Sequence, residues 1–156
     1  MAADGVAVES SQAGGPLRSD GWFRALVESL HGGIVVHDAD GVIVESNGAA
    51  HRILGLTADQ MSGRTSVDPR WRAVHEDGSP FPGDTHPAMV TLATGEPVRD
   101  VVMGVHKPDG SLTWILINSS LLPSVAGMQV VVSFTDVTEV RALEQRYQLL
   151  AESLAE

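Results

Sequence analysis

Near its end the chain passes from a strand-like pattern to a helical one with no turn signal between them. Residues 128–136, MQVVVSFTD, are rich in apolar β-branched side chains, as strands are. Residues 137–156, VTEVRALEQRYQLLAESLAE, instead repeat apolar side chains at alternating spacings of three and four, which predicts one apolar face on a helix. The sequence therefore predicts a strand that runs directly into a helix.

The apolar face of this helix has the a and d spacing of a coiled coil. Its members are Val140, Leu143, Tyr147, Leu150 and Leu154. A helix with so few heptads is marginal by itself in water, so the face needs a partner copy or a continuation of the chain. We interpret it as the seam of a homodimer, and a helix that folds back on its own domain is the alternative.

The start of the helix carries a capping signal. Asp136 and Glu139 stand three residues apart, which is the spacing of a capping box. This spacing predicts that the Asp136 carboxylate accepts the Glu139 backbone N–H while the Glu139 side chain reaches back. Asp136, Thr138 and Glu139 are therefore the candidate residues through which the helix would transmit a change of state.

Charge and composition exclude several functional classes. The net charge of −10 would repel nucleic acids and anionic lipid surfaces, so neither is an expected partner. The chain contains no cysteine, which excludes a thiolate nucleophile, a disulfide framework and a covalent thiol adduct with a chromophore. It shows neither an export signal nor a run of apolar residues long enough to span a membrane, so we expect a cytoplasmic protein.

Upstream turn and cap signals predict an α+β domain. Residues 1–18 are small, polar and glycine-rich, as in a flexible tail, and residues 19–139 are the predicted domain, with a flanking helix at its start. Two antiparallel hairpins are predicted, one turning at DADG, residues 38–41, and one at KPDG, residues 107–110. Asn47 is the predicted N-cap of a short helix.

In this order, the motifs resemble those of a PAS domain from about Trp22 to Glu139. They are DADG at 38–41, NGAAHRILG from Asn47, TADQMSG at 57–63, EDGSPFP at 76–82, HPAMVTLATGEPV at 86–98, KPDGSLTWILIN at 107–118 and DVTE at 136–139. Each motif alone is common, whereas seven in the family's order are specific.

The resemblance implies a five-stranded antiparallel sheet with short helices on one face and a small cavity between them. It also implies a C-terminal signalling helix of coiled-coil type, residues 140–156, and an output domain in the same polypeptide, as in bacterial signalling proteins. Residues 23–30 match residues 147–154 well, so the end of the chain is expected to open a further domain of a longer regulator.

Five side chains are candidates for lining the cavity, with ordinary core packing as the alternative. They are Trp71, His86, Met89, Met103 and Trp114. Haem-binding members of the family use a histidine on the helix before the third strand, and His86 lies at the start of such a helix here. Since His86 precedes Pro87, its backbone is expected to be extended, which suits a loop contact better than an axial haem ligand.

No cofactor, metal or catalytic residue is expected in this segment. The light-sensing branch of the family needs a cysteine on the helix after Asn47, where this chain has none, although haem and non-covalent flavin remain alternatives. The spacing of His75 and His86 matches no known metal-ligand pattern. His75, Asp77 and Ser79 are too close together on one turn to form a hydrolase triad.

We therefore interpret the chain as a noncatalytic sensory and dimerisation module that responds to a small ligand or a partner and acts through its C-terminal helix. Two alternatives remain open. One is a constitutive interaction scaffold whose cavity is filled by side chains, and the other is a sensor that carries haem or flavin.

Overall fold

The structure, a computed structural model, describes residue 21, residues 25–125 and residues 127–155. The chain divides after His31 into two structural units. Residues 25–29 of the first unit are helical. The predicted flexible tail, residues 1–18, and the predicted start of the flanking helix lie outside the described residues.

The second unit is built on one antiparallel sheet. Its strands are β1 (Gly33–His37), β2 (Ile43–Ser46), β3 (Ala73–Val74), β4 (Val98–His106), β5 (Leu112–Ser124) and β6 (Gly127–Asp136). They lie in the order β2-β1-β6-β5-β4-β3, so the first and last long strands are neighbours in the centre. The predicted α+β fold is confirmed, and the two-residue strand β3 adds a sixth strand at the edge of the five that were expected.

Short helices follow the cap signals of the sequence. The described helices of this unit are α1 (Gly48–Leu54), α2 (Ala58–Met61), α3 (Pro87–Thr94) and α4 (Thr138–Ala155), with a 3₁₀ turn at Gly83–Thr85. The predicted cap of α1 is confirmed, because the Asn47 side chain accepts the Ala50 backbone N–H at 2.9 Å. A full capping box between Thr57 and Gln60 begins α2. Local sequence signals therefore set where both helices begin.

The hairpin of β5 and β6 extends beyond the part of β5 that pairs with β4. Pairing between β5 and β6 continues until Ser124 faces Gly127. Pro123 is tolerated because β5 pairs with β4 only as far as Ser119, so beyond that residue β5 lies at an edge of the sheet.

The helices α1, α2 and α3 share one hydrophobic core with the inner face of the sheet. Alternate residues of the central strands are buried, in the order Thr113, Ile115, Ile117 and Ser119 on β5 and Val130, Val132 and Phe134 on β6. The hydroxyls of Thr91 and Ser119 are 2.7 Å apart, and Ser119 donates to the carbonyl of Pro87 at 3.0 Å. These buried polar contacts hold α3 against β5.

Candidate ligand cavity and output junction

A cavity of about 80 Å³ lies between the sheet and the helices α1, α2 and α3. It is lined by Val35, His37, Ile43, Leu54, Met61, Ser66, Trp71, Ala73, His86, Pro87, Ala88, Met103, Val105, Ile115, Ile117, Val132 and Phe134. The wall is thus mainly apolar, with two imidazoles and one hydroxyl as its distinctive polar groups. A mainly apolar pocket with a few polar groups is the usual form of a small-molecule site.

The structure brings three of the five predicted cavity residues together. Trp71, His86 and Met103 line the cavity. Met89 does not line it and lies against the turn at Gly41 instead. Trp114 is not in the lining either, because side chains alternate along a strand and its neighbours Thr113 and Ile115 are the buried ones.

The cavity also contains His37, which sequence reasoning missed. Its position as the last residue of β1, directly before the DADG turn, was visible in the sequence, but which strand residues face the cavity was not. His37 is buried, and its Nδ1 lies 2.9 Å from the carbonyl oxygen of Gly41. Burial lowers the pKa of His37 below its ordinary value, although the Gly41 hydrogen bond and the Asp38 carboxylate oppose the shift.

His86 faces the cavity from the N-cap position of α3. Its backbone is extended, with φ −63° and ψ 150°, and its Nε2 lies 3.0 Å from the carbonyl oxygen of Phe81. The predicted extended backbone and loop contact are confirmed. Burial lowers the pKa of His86, the Phe81 hydrogen bond and Asp84 oppose that shift, and the neighbouring His37 and His75 add to it.

We expect the free energy of unfolding of the domain to fall as the pH is lowered from about 7.5 to about 5.5. Because the pKa of both histidines is lowered in the folded state, the unfolded chain takes up these protons first, beginning near the ordinary value of 6.5. The stability that the neutral imidazoles contribute is complete above that value and is lost as the pH falls from it through the lowered folded-state pKa values.

Urea unfolding at several pH values measures this dependence. A His37→Gln variant keeps an amide donor for the Gly41 carbonyl but does not titrate, so its profile is expected to be shallower. A wild-type profile that stays flat over this range contradicts the prediction.

The loop before β3 holds the ring of Trp71 at the cavity wall. Its indole N–H donates to the carbonyl of Thr65 at 2.9 Å. The guanidinium of Arg64 lies over the same ring, 4.9 Å from its centroid. Both contacts fix the orientation of the ring, the second as a cation–π interaction.

Hydrogen bonds from the Trp114 backbone hold the segment that joins β6 to α4. The Val137 N–H donates to the Trp114 carbonyl at 2.8 Å, and the Trp114 N–H donates to Thr138 Oγ1 at 2.9 Å. The capping prediction at Asp136 needs a correction, because its carboxylate accepts the N–H of Thr138, at 2.9 Å, rather than that of Glu139. Thr138 Oγ1 is thereby left to bond the neighbouring strand.

Side chains extend this junction to the loop after β3. The Arg141 guanidinium lies over the ring of Trp114, 4.5 Å from its centroid, and its Nη1 lies 3.1 Å from Glu76 Oε2. The Arg141 Nε is buried without a hydrogen-bond partner among the described residues. Trp114, predicted to line the cavity, therefore forms the base on which the first turn of α4 rests.

Beyond this first turn, α4 projects an apolar stripe into solvent. No described residue of the helix is buried. The five predicted seam residues are each more than half exposed, namely Val140 (53%), Leu143 (55%), Tyr147 (75%), Leu150 (64%) and Leu154 (88%). The helix thus does not fold back on its own domain, which was the alternative.

The described part of the chain holds neither a cluster of metal ligands nor a membrane-spanning helix. No three metal-ligating side chains come together there. None of its helices combines the length and the apolar character that crossing a bilayer requires.

A family model for the PAS fold matches residues 22–137. The chain belongs to the PAS family, whose domains are typical sensory modules of signalling proteins. Comparison with curated proteins found no match.

Several solved structures share this fold at low sequence identity. The PAS domain of an HTR-like protein from Haloarcula marismortui is 19% identical, with a TM-score of 0.57 over 77% of this chain and 93% of that one. A domain of a sensory box sensor histidine kinase/response regulator from Geobacter sulfurreducens is 24% identical, with a TM-score of 0.55 over 77% and 96%. An RNA-binding light-oxygen-voltage receptor is 21% identical, with a TM-score of 0.64. The match covers 90% of this chain and 39% of that one.

Proposed function

We propose that this chain is a noncatalytic PAS module that binds a small molecule in its cavity, dimerises through α4 and relays the state of the cavity to an output domain in the same polypeptide, in the cytoplasm. The observation that carries the proposal is the contact of Glu76 with Arg141. It joins the loop after β3, which leads to His86 at the cavity wall, to the helix that leaves the sheet.

A short series of contacts links the cavity wall to this ion pair. His86 lines the cavity and bonds the carbonyl of Phe81. The ring of Phe81 stacks on His75, with centroids 4.0 Å apart, and Glu76 is the next residue. A molecule that displaces His86 would therefore shift a packed segment that ends at the partner of Arg141.

The strength of this link suits a switch. The Glu76 side chain is 62% exposed, and an ion pair of that kind contributes at most about 1 kcal/mol. The ring of Trp114 adds a cation–π contact to the same guanidinium. Contacts of this size bias the position of a helix without locking it, so a ligand whose affinity differs modestly between the two positions is able to change the bias.

The stripe of α4 supports dimerisation through a second copy of this chain. The a and d spacing is self-complementary, so two copies of the stripe pack against each other. Because the helix has no buried residue of its own, its stability depends on such a partner. A dimer in which α4 pairs with its copy would give the relay a defined output.

The relay is tested by amide hydrogen exchange on a Glu76→Gln variant. Loss of the ion pair is expected to raise exchange of the α4 amides after Arg141 by about two- to fivefold, the range that a pair of this kind supports. Because coupling between two sites is reciprocal, amides over residues 81–90 are expected to change as well.

Glu144→Gln is the matched control. It makes the same chemical change on α4 at a position without an ion pair among the described residues, so it is expected to leave both regions unchanged. Unaltered exchange of α4 in the Glu76→Gln variant would show that the contact carries no coupling, and the relay would then be rejected.

A further inference from the structure

The polar groups of the cavity define what kind of molecule it accepts. Its lining contains no carboxylate, guanidinium or ammonium group. The indole N–H of Trp71 is already bonded to Thr65, so the groups left for a ligand are His37, His86 and Ser66. An ionised ligand would lose its hydration there without gaining an opposite charge, which is costly. The lining therefore favours an uncharged molecule.

The tautomer of each histidine follows from its backbone partner. A carbonyl oxygen only accepts, so the proton of His37 is assigned to Nδ1, facing Gly41, and that of His86 to Nε2, facing Phe81. In the neutral imidazole the other nitrogen then carries a lone pair. Each ring thus offers one acceptor, His37 Nε2 and His86 Nδ1, and neither atom has a hydrogen-bond partner among the described residues.

Both rings line the cavity, so these two acceptors are available to a molecule inside it, and a ligand that brings a donor gains a hydrogen bond there. The two imidazoles come from distant segments of the chain, since His37 ends β1 and His86 precedes α3. Both rings are anchored by backbone carbonyls, so their acceptors are held in place before any ligand arrives. Such preorganisation lowers the cost of binding.

The size of the cavity limits the molecule further. A volume of about 80 Å³ is roughly half that of the apolar cavity of about 150 Å³ that accommodates benzene. Molecules smaller than benzene are therefore the occupants expected without movement of the wall.

We propose that the cavity selects small, uncharged, largely apolar molecules that carry an N–H or O–H donor, and that His37 Nε2 and His86 Nδ1 accept the hydrogen bonds. This inference rests on the proposed ligand-binding function and specifies its chemistry. It concerns the cavity alone and does not depend on the relay through Glu76.

Pyrrole and furan test the selection, because the two rings have nearly the same size and shape but only pyrrole has an N–H donor. Each is titrated into the full chain at about pH 7.5, and the affinity is taken from chemical-shift changes of the cavity residues. A net hydrogen bond to an acceptor in the cavity wall is expected to make the dissociation constant of pyrrole about tenfold lower than that of furan.

A His37→Leu variant and a His86→Leu variant locate the effect. Each removes one acceptor, so the preference for pyrrole is expected to shrink in at least one variant while the affinity for furan is retained. The comparison of the two ligands on the wild-type chain needs neither variant, so a variant that fails to fold leaves the test intact.

The outcomes separate this inference from the function on which it rests. Equal binding of pyrrole and furan overturns the donor selection and leaves ligand binding in place. Binding of neither ring overturns both and favours the scaffold whose cavity is filled by side chains. A preference for pyrrole that persists unchanged in both leucine variants overturns the assignment of the acceptors.

Discussion

Replacing Asn47 with alanine is expected to lower the free energy of unfolding by about 3–5 kcal/mol. The side chain is fully buried, and its Oδ1 accepts from the N–H groups of Ile34 and Ala50, both at 2.9 Å. Its Nδ2 donates to the carbonyl of Gly32 at 3.0 Å. One residue thus satisfies backbone groups at the start of both β1 and α1, and alanine would leave them buried without partners.

Thermal and urea unfolding measure this effect. A loss of that size corresponds to a fall in the melting temperature of roughly 10 °C or more. Thr57→Ala is the matched control, since it also removes an N-cap, but an exposed one, and is expected to cost only about 1 kcal/mol. Equal effects of the two variants would show that the buried contacts of Asn47 add nothing to its role as a cap.

Introducing aspartate at both Leu143 and Leu150 is expected to raise the dissociation constant of the proposed dimer by at least about 100-fold. Each substitution removes an apolar d-position side chain and places like charges from the two copies near each other. Sedimentation equilibrium of the full chain measures the change, with the wild-type chain expected to be a dimer.

The control for the dimer carries the same added charge on the same helix. Ala142→Asp with Leu149→Asp places both aspartates outside the seam, and Leu149 is 67% exposed. This variant is expected to remain a dimer. A wild-type chain that sediments as a monomer, or a seam variant that sediments unchanged, contradicts the dimer model.

The elements that the sequence predicted well are those defined by neighbouring residues. The N-cap at Asn47 and the DADG turn depend on side chains that bond the backbone within a few residues. The apolar stripe of α4 depends on spacing alone. Local geometry of this kind is encoded in short segments, so it was readable before the fold was known.

The candidate site was predicted less completely, because it is assembled from distant segments. The sequence identified Trp71, His86 and Met103 but missed His37 and Ser66, and it placed Trp114 on the wrong face of the sheet. The alternation of a strand is visible in its sequence, whereas which alternate set faces the core depends on what packs against the strand. A cavity-facing residue therefore looks the same as a core residue in the sequence.

The need for glycine at position 83 could not be predicted from the sequence either. A Cβ at this position would stand 2.7 Å from Val67 Cα and would also clash with the carbonyl of Ser66. The requirement for glycine arises from the approach of two loop segments distant in the sequence, which no local pattern reports.

The sequence by itself determined the order of the elements, the capped starts of the short helices and the apolar stripe that leaves the domain, because each rests on contacts or spacings within a few residues. Only the tertiary structure decided that two imidazoles face one cavity and that Arg141 meets Glu76, a residue 65 positions away. Those contacts exist because the antiparallel sheet brings distant segments to one face or one edge. The C-terminal helix was therefore predictable, and its contact with Glu76 was not.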